Sequence, residues 1–234
     1  MDPKKIAELW ARLMQELGYM RFAAQGGDWG SAISIALGLD YAERMIGIHL
    51  NYIAGRFLLG GTLNDTPTDA MERAYVAQLR AWYEEEGGYS HEQATRPQTL
   101  SYGLNDSPVG LLAWIVEKFR SWSDCGGEVA RVFTRDELLN NVMIYWVTQT
   151  ISTSVRLYYE SRQRPLSLSP TNRVEPPVAF AVFPKEIPVP PRGLAERGLN
   201  VVRWTEMPQG GHFAAMEQPD LLAEDLREFF RGLR

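Results

Sequence analysis

The sequence of 234 residues contains a single cysteine, Cys125, and no excess of positive charge. One cysteine excludes a disulfide framework and a zinc site built from several cysteines. The net charge of -5 argues against nucleic acid or acidic lipid as a partner, because both require a basic face. The apolar runs are short and interrupted, so we expect no membrane span, no secretory signal peptide and a cytoplasmic location.

The composition that remains is typical of a globular protein. Hydrophobic residues make up 45% of the chain and charged residues 23%, which is enough to bury a sizeable core. A length of 234 residues favours one large domain with an insertion over two complete domains.

Short apolar segments alternate with helical periods, which predicts an α/β fold with a mostly parallel sheet. The candidate strands are residues 20–24, 45–50, 178–183 and 201–205. Long helical periods fall between the second and third of them, at residues 69–86, 110–122 and 135–159. We therefore predict that residues 53–174 form a helical lid with a proline-rich return segment, and that residues 1–52 and 175–234 form the core.

The turn after the first predicted strand has the sequence Gly-Gly-Asp-Trp-Gly, with Asp28 at its centre. This is the glycine–x–nucleophile–x–glycine form of a sharp strand-to-helix turn, in which glycine relieves crowding. The backbone N–H of Trp29 would begin the next helix and could bind a developing oxyanion. The alternative is an ordinary turn whose aspartate caps that helix.

Two further polar residues follow predicted strands, Glu186 after the third and His212 after the fourth. An α/β-hydrolase fold presents its nucleophile, acid and base in this order along the chain. Because the carboxyl ends of parallel strands meet at the edge where ligands bind, we expect both side chains to lie near Asp28. The alternative is a solvated loop carboxylate and an ordinary turn histidine.

An aspartate nucleophile favours displacement at a saturated carbon, with a halide or an epoxide oxygen as leaving group. An epoxide oxygen needs a proton donor, and tyrosine is a neutral phenol that can supply one. Any one of the tyrosines could equally be a packing residue. The candidates are Tyr52, Tyr75, Tyr83, Tyr89, Tyr102, Tyr145, Tyr158 and Tyr159.

Five longer segments are more specific than the turn. They read AAQGGDWGSAIS, GGYSHEQATRPQTLSYGLNDSPVGLLAWIVEKF, FTRDELLNNVMIYWVTQTISTSVRLYYE, FPKEIPVPP and MPQGGHFAAMEQPDLLAEDLREFF. Together they resemble the microsomal-type epoxide hydrolases, including bacterial relatives, over nearly the whole chain. The resemblance implies an α/β-hydrolase fold with a helical lid, and a reaction that converts an epoxide to a vicinal diol without metal or organic cofactor.

The same resemblance implies a role for each matching residue. Asp28 corresponds to the nucleophile that forms a covalent ester, His212 to the base that activates water, and Glu186 to the carboxylate that orients the histidine. Tyr89 in GYSH and Tyr158 in RLYYE correspond to the lid tyrosines that hold the epoxide oxygen. Tyr159 is the alternative for the second of these, and Tyr158 is preferred because it lies two residues after an arginine.

The sequence also departs from the family. The family's hydrolase domain begins with several strands for which this chain has no counterpart, and a His-Gly-x-Pro segment among them helps to bind the oxyanion. Here none of the three histidines precedes a glycine. Loss of one oxyanion donor costs roughly 2.7–4 kcal/mol, or about two to three powers of ten in rate.

We therefore expect residues 20–24 to form an edge strand. The chain expressed alone should be marginally stable or prone to aggregation unless a partner supplies further strands.

Two other functions remain open. A haloalkane dehalogenase would use the same Asp28, with Trp29 binding the halide. A catalytically impaired fragment would bind hydrophobic ligands without turnover. For the epoxide hydrolase, the expected partners are a small apolar epoxide and water, and a homo-oligomer is also left open.

Overall fold

Four parallel strands form the centre of the computed structural model, which describes residues 1–58 and 69–233. They follow each other across the sheet in chain order, and each neighbouring pair is parallel. The strands are β1 (Phe22–Gly26), β2 (Met45–Leu50), β3 (Val174–Val182) and β4 (Leu199–Glu206). A parallel sheet with its buried apolar strands is what the sequence predicted.

Helices account for most of the remaining described chain, and several begin at a proline or at a side chain that caps the first turn. They are α1 (Pro3–Glu16), α2 (Asp28–Asp40), α3 (Gly55–Leu58), α4 (Ala70–Glu86), α5 (Gly88–Thr95), α6 (Pro97–Asp106), α7 (Pro108–Trp122), α8 (Arg135–Thr148), α9 (Ile151–Gln163), α10 (Arg192–Ala195), α11 (Ala214–Glu217) and α12 (Pro219–Arg231).

The structure corrects several predicted boundaries. The first strand begins two residues later than expected, and the third begins at Val174, four residues earlier. Pro176 and Pro177 fit into that strand because its register with β4 shifts between Val174 and Pro177. The predicted helix 135–159 is two helices, α8 and α9, because Gln149 adopts a left-handed backbone with φ of 52° and ends the first.

Helices α4–α9 lie between β2 and β3 in the chain, and α6–α9 share an apolar cluster of their own. That cluster contains Leu104, Leu111, Val142, Ile151 and Val155. A larger cluster joins the sheet to α1, α2 and α4. The separate cluster of α6–α9 supports a helical lid, whereas α4 packs into the core, and the division at residues 53–174 stays a proposal. Residues 59–68 of this lid lie outside the described residues.

Within the described chain, β1 lies at one edge of the sheet and pairs with β2 alone. Beside it, α1 exposes Trp10 (50%) and Leu17 (60%), and a cavity of about 310 Å³ opens between Trp10, Phe22 and Ile33. An open strand edge next to apolar surface favours association. Aggregation of the chain alone therefore stays a prediction.

None of the described helices is long and apolar enough to cross a lipid bilayer.

A buried ion-pair network fastens α12 to the sheet. One carboxylate oxygen of Asp225 accepts hydrogen bonds from Arg203 and Thr205 at 2.8 Å each, and the other lies 3.0 Å from His49 Nε2. The Asp225 side chain is 2% exposed. Burial alone would raise the pKa of Asp225, but the hydrogen bonds from His49, Thr205 and Arg203 outweigh it and lower the pKa to about 2.

We expect Asp225→Asn to lower the free energy of unfolding by about 3 kcal/mol, because it leaves Arg203 and His49 without their carboxylate. The folded pKa of Asp225 lies below its ordinary value near 3.8, so the stabilisation is present above pH 4 and is lost as the pH falls through 2. Urea unfolding at pH 7 and at acidic pH measures both effects. The control, Glu224→Gln on the exposed face of α12, should change stability by less than about 0.5 kcal/mol.

Candidate active site

Asp28 lies at a sharp turn where β1 ends and α2 begins. Its φ of 42° is in the left-handed region, which is rare for a residue with a side chain and is found where a residue is held for function. A Cβ on Gly26 would lie 2.2 Å from the Gly30 oxygen, and one on Gly27 would lie 2.7 Å from Asn51 Nδ2. Those two positions therefore require glycine, whereas a Cβ on Gly30 would meet nothing within 4 Å.

The turn does not use Asp28 as a helix cap. The N-cap of α2 is Gly27, and no side chain caps this helix. The turn is supported instead by Asn51, the residue after β2. Its Oδ1 accepts a hydrogen bond from Gln25 Nε2 at 2.9 Å, and its backbone N–H donates to the Gly26 oxygen at 3.3 Å. The Asp28 side chain is 51% exposed and free to face a ligand.

The structure brings Glu186 and His212 to the same edge of the sheet as Asp28. His212 Nδ1 lies 2.6 Å from Glu186 Oε1, and His212 Nε2 lies 3.9 Å from Asp28 Oδ2. Glu186 Oε1 also accepts the N–H of Ile187 at 2.8 Å. Side-chain exposure is 4% for His212 and 0% for Glu186. The geometry orients the imidazole so that one nitrogen meets a buried carboxylate and the other faces Asp28.

The turn that carries His212 is held against the end of α7. The His212 N–H donates to the Trp122 oxygen at 2.9 Å, and the Gly210 N–H donates to Asp124 Oδ2 at 3.0 Å. Glu217 Oε2 in turn accepts the N–H of Asp124 at 2.7 Å. Since α7 belongs to the insertion, the position of His212 depends on the docking of these helices.

Tyr89 on α5 and Tyr158 on α9 face Asp28 from the opposite side. All three line one cavity of about 300 Å³, and the two phenol rings have their centroids 5.8 Å apart. Tyr159 is 42% exposed and does not line that cavity. Burial, aided by the charge of Asp28, raises the pKa of Tyr89 and of Tyr158 well above the ordinary value of 10. Both phenols are therefore neutral donors over the physiological range.

Sequence reasoning missed a cluster that holds Tyr89. The ammonium of Lys118 lies 4.7 Å from the centroid of the Tyr89 ring and 5.1 Å from that of Trp122. Trp122 Nε1 donates to Glu86 Oε2 at 3.0 Å, and Lys118 lies 3.7 Å from the same oxygen. These residues come from three helices, so no local pattern in the sequence relates them.

The cavity beside Asp28 is mainly apolar. Its walls include Trp114, Ile115, Phe119, Trp122 and Leu157. A pocket lined by aromatic side chains with a few convergent polar groups is typical of a site for an apolar small molecule. Among the described residues there is no group of histidine, cysteine, aspartate and glutamate that could hold a metal ion.

The charge state of His212 follows from its surroundings. Burial disfavours the imidazolium, but the carboxylates of Glu186 and Asp28 outweigh that effect and raise the pKa of His212 to about 10. At neutral pH the resting site therefore holds an imidazolium between two carboxylates. Conversion of Asp28 to an ester would remove one of the charges that keep this proton in place.

We expect Glu186→Gln to lower the pKa of His212 from about 10, because the buried imidazolium then keeps only the Asp28 carboxylate as a partner. NMR titration of the imidazole nitrogens measures this shift. The same charge pairing contributes stability that is complete below pH 6.5 and is lost as the pH rises through 10. As the control, Glu206→Gln, exposed at the end of β4, should leave the pKa of His212 unchanged.

Comparison with known proteins assigns the class of this fold. No family model matches the chain. The crystal structure of juvenile hormone epoxide hydrolase from the silkworm Bombyx mori matches 100% of this chain and 60% of its own, with a TM-score of 0.87 and 32% identity. The structure of Aspergillus niger epoxide hydrolase matches 100% of this chain and 58% of its own, with a TM-score of 0.82 and 28% identity. The chain has the α/β-hydrolase fold, as predicted.

Sequence relatives narrow the assignment. Epoxide hydrolase 1 of Oryctolagus cuniculus is 37% identical over 95% of this chain and 54% of its own length. Juvenile hormone epoxide hydrolase 1 of Ctenocephalides felis is 38% identical over 95% of this chain and 52% of its own length. A Stigmatella aurantiaca protein, named provisionally as an epoxide hydrolase, is 41% identical over 98% and 51%. The chain is homologous to the epoxide hydrolases, and it spans about half the length of the curated relatives it matches.

Proposed function

We propose that this chain supplies the reacting groups of an epoxide hydrolase, which converts an epoxide to a vicinal diol through a covalent ester on Asp28. The observation that carries the proposal is the convergence of Asp28, His212 and Glu186 on one side of a cavity with Tyr89 and Tyr158 on the other. A nucleophile faces two neutral acids across a space lined by apolar side chains, which suits displacement at carbon with protonation of the leaving oxygen.

In the first step a carboxylate oxygen of Asp28 attacks the less hindered epoxide carbon. The carbon–oxygen bond of the ring breaks, and its electron pair goes to the ring oxygen. Tyr89 and Tyr158 hydrogen-bond that oxygen, and one of them supplies its proton. Because burial raises the pKa of both phenols, proton transfer accompanies bond breaking instead of preceding it.

In the second step water cleaves the ester. Loss of the Asp28 charge lowers the pKa of His212, so the imidazolium releases its proton to the tyrosinate and becomes a neutral base. His212, oriented by Glu186, then takes a proton from water as the water oxygen attacks the ester carbonyl. The tetrahedral oxyanion collapses, the bond to the diol oxygen breaks, and His212 gives its proton to that oxygen. The Asp28 carboxylic acid then returns a proton to His212, which restores the resting site. His212 Nε2 lies 3.9 Å from Asp28 Oδ2, which places the base beside the ester that it helps to hydrolyse. The backbone N–H of Trp29 serves as a donor to the oxyanion.

The apolar wall of the cavity supports an apolar, in part aromatic, epoxide as substrate. Such a substrate fits a role in detoxification or in the catabolism of aromatic hydrocarbons, in the cytoplasm. A homo-oligomer also stays a proposal, which light scattering of the purified chain would decide.

Heavy-oxygen water tests the proposed function directly with styrene oxide as substrate. In a single turnover the diol should take its new oxygen from Asp28, and heavy oxygen should then be found in the Asp28 carboxylate. Direct transfer of solvent oxygen to the diol would contradict the covalent route. Release of chloride from a chloroalkane, without diol formation, would support the haloalkane dehalogenase instead. Absence of both turnover and an Asp28 adduct would support a non-catalytic fragment.

Replacement of Tyr158 by phenylalanine should lower the rate of ester formation by about 10²-fold, because one acid and one hydrogen bond to the ring oxygen are lost. The Tyr89→Phe, Tyr158→Phe double variant should form no measurable ester. Stopped-flow quenching of tryptophan fluorescence in a single turnover measures the step. Tyr159→Phe, next in the chain but outside the cavity, is the matched control and should react at the unchanged rate.

A further inference from the structure

A second, larger cavity of about 710 Å³ lies beyond Tyr158. Its wall includes Arg56 from α3, Arg162 and Ser161 from α9, and Tyr83 from α4. The first cavity is lined mainly by aromatic and aliphatic side chains, whereas this one brings two guanidinium groups together. The two arginines outnumber Glu84, the acidic residue on the same wall. The second cavity therefore offers two guanidinium groups to an anionic ligand.

The two cavities share a narrow cleft at the candidate catalytic groups. A narrow cleft of about 30 Å³ is lined by Asp28, Trp29 and Tyr89, which also line the apolar cavity. Arg56 and Tyr83 line both this cleft and the larger cavity. An extended molecule could therefore place one end on either side of Asp28.

Aromatic contacts fix the position of Arg56, and its place on α9 fixes that of Arg162. The guanidinium of Arg56 lies 5.8 Å from the centroid of the Trp29 ring and 5.3 Å from that of Phe57, so aromatic faces hold it beside the turn of Asp28. Arg162 follows Tyr158 by four residues on α9 and therefore lies on the same face, about 6 Å further along the helix axis.

A buried hydroxyl on the same wall lacks a partner. Ser161 is 8% exposed, and its Oγ has no hydrogen-bond partner among the described residues. Buried polar groups are nearly always hydrogen-bonded, so an unpaired one that lines a cavity is a candidate contact for a ligand. A hydroxyl on the same wall as two guanidinium groups complements a carboxylate, which can accept hydrogen bonds from all three.

We propose that this cavity binds a carboxylate carried by the substrate, with Arg162 and Arg56 as its cationic partners and Ser161 as a donor. The inference rests on the proposed function, because the epoxide of the same molecule must reach Asp28. The substrate class is an epoxide with an apolar body and a carboxylate separated from the epoxide by a short spacer.

A pair of substrates tests this inference: an ω-epoxy alkanoate and its methyl ester, which differ in charge at one end. The acid should have a kcat/KM about tenfold higher than the ester, because charge-assisted hydrogen bonds act on the acid alone. Arg162→Gln should remove that preference by raising KM for the acid, and leave the ester unchanged. Arg156→Gln, on another face of the same helix, is the matched control and should keep the preference.

Binding without turnover separates the inference from the proposed function. A saturated alkanoate of equal length should quench tryptophan fluorescence of the wild-type chain, and Arg162→Gln should weaken its binding about tenfold. Binding of this probe with no hydrolysis of either epoxide would overturn the proposed function and support the carboxylate site. Equal turnover of acid and ester in the wild type, with no effect of Arg162→Gln, would overturn the carboxylate site alone.

Discussion

Asp28→Asn is expected to form no covalent adduct with an epoxide and to lower diol formation on the order of 10⁴-fold or more. The amide cannot supply the carboxylate oxygen that attacks carbon, and it leaves Tyr89 and Tyr158 facing a bound epoxide without a nucleophile. Mass spectrometry of the peptide that contains residue 28, after acid quench of a single turnover, measures the adduct directly.

Asp40→Asn is the matched control, because Asp40 ends the same helix and makes an exposed ion pair with Lys4 at 3.3 Å. This variant should form the adduct at the wild-type rate. An adduct on another carboxylate, or undiminished diol formation by Asp28→Asn, would exclude Asp28 as the nucleophile.

His212→Gln should separate the two steps. Asp28 keeps its carboxylate and the tyrosines remain, so the ester should form, whereas its hydrolysis loses the general base. Steady-state diol formation should fall roughly 10³-fold or more, and the ester should accumulate to about one equivalent per chain. Rapid quench followed by mass spectrometry of the intact protein measures both quantities.

The double variant Asp28→Asn, His212→Gln is the control, since it should accumulate nothing. The rate of diol formation by Glu186→Gln should lie between the rates of the wild type and of His212→Gln. The imidazole remains in this variant but loses the carboxylate that lies 2.6 Å from its Nδ1. If His212→Gln hydrolyses the ester at the wild-type rate, another group must activate water.

Much of the fold could be predicted from local patterns. Short apolar strands alternating with helices predict a parallel sheet, and the glycines at residues 26 and 27 predict the sharp turn because a Cβ at either position would clash. The ends of the strands were less certain. The third strand was predicted to begin at residue 178, after the prolines at 176 and 177, yet a shift in register accommodates both prolines within the strand. That depends on the partner strand, which a local pattern does not contain.

Some residues of the candidate site could likewise be predicted from the sequence, and others could be identified only from the tertiary structure. Asp28, Glu186 and His212 could be named in advance, because each follows a strand and parallel strands end at the same edge. The choice between Tyr158 and Tyr159 depends on how α9 is rotated against α5, and the structure turns Tyr158 toward Asp28. The raised pKa of His212 likewise requires the two carboxylates of Glu186 and Asp28, which only tertiary packing brings to the imidazole.

The sequence by itself determined the order of strands and helices, the turn at Asp28, and the residue types available for epoxide opening. Only the tertiary structure decided which side chains meet: Lys118 over Tyr89, the end of α7 against the His212 turn, and the two arginines beyond Tyr158. The physical reason is the distance along the chain over which each kind of interaction acts. Steric limits and hydrophobic periodicity act within a few residues and can be read from the sequence, whereas contacts between helices far apart in the chain arise only when the core packs.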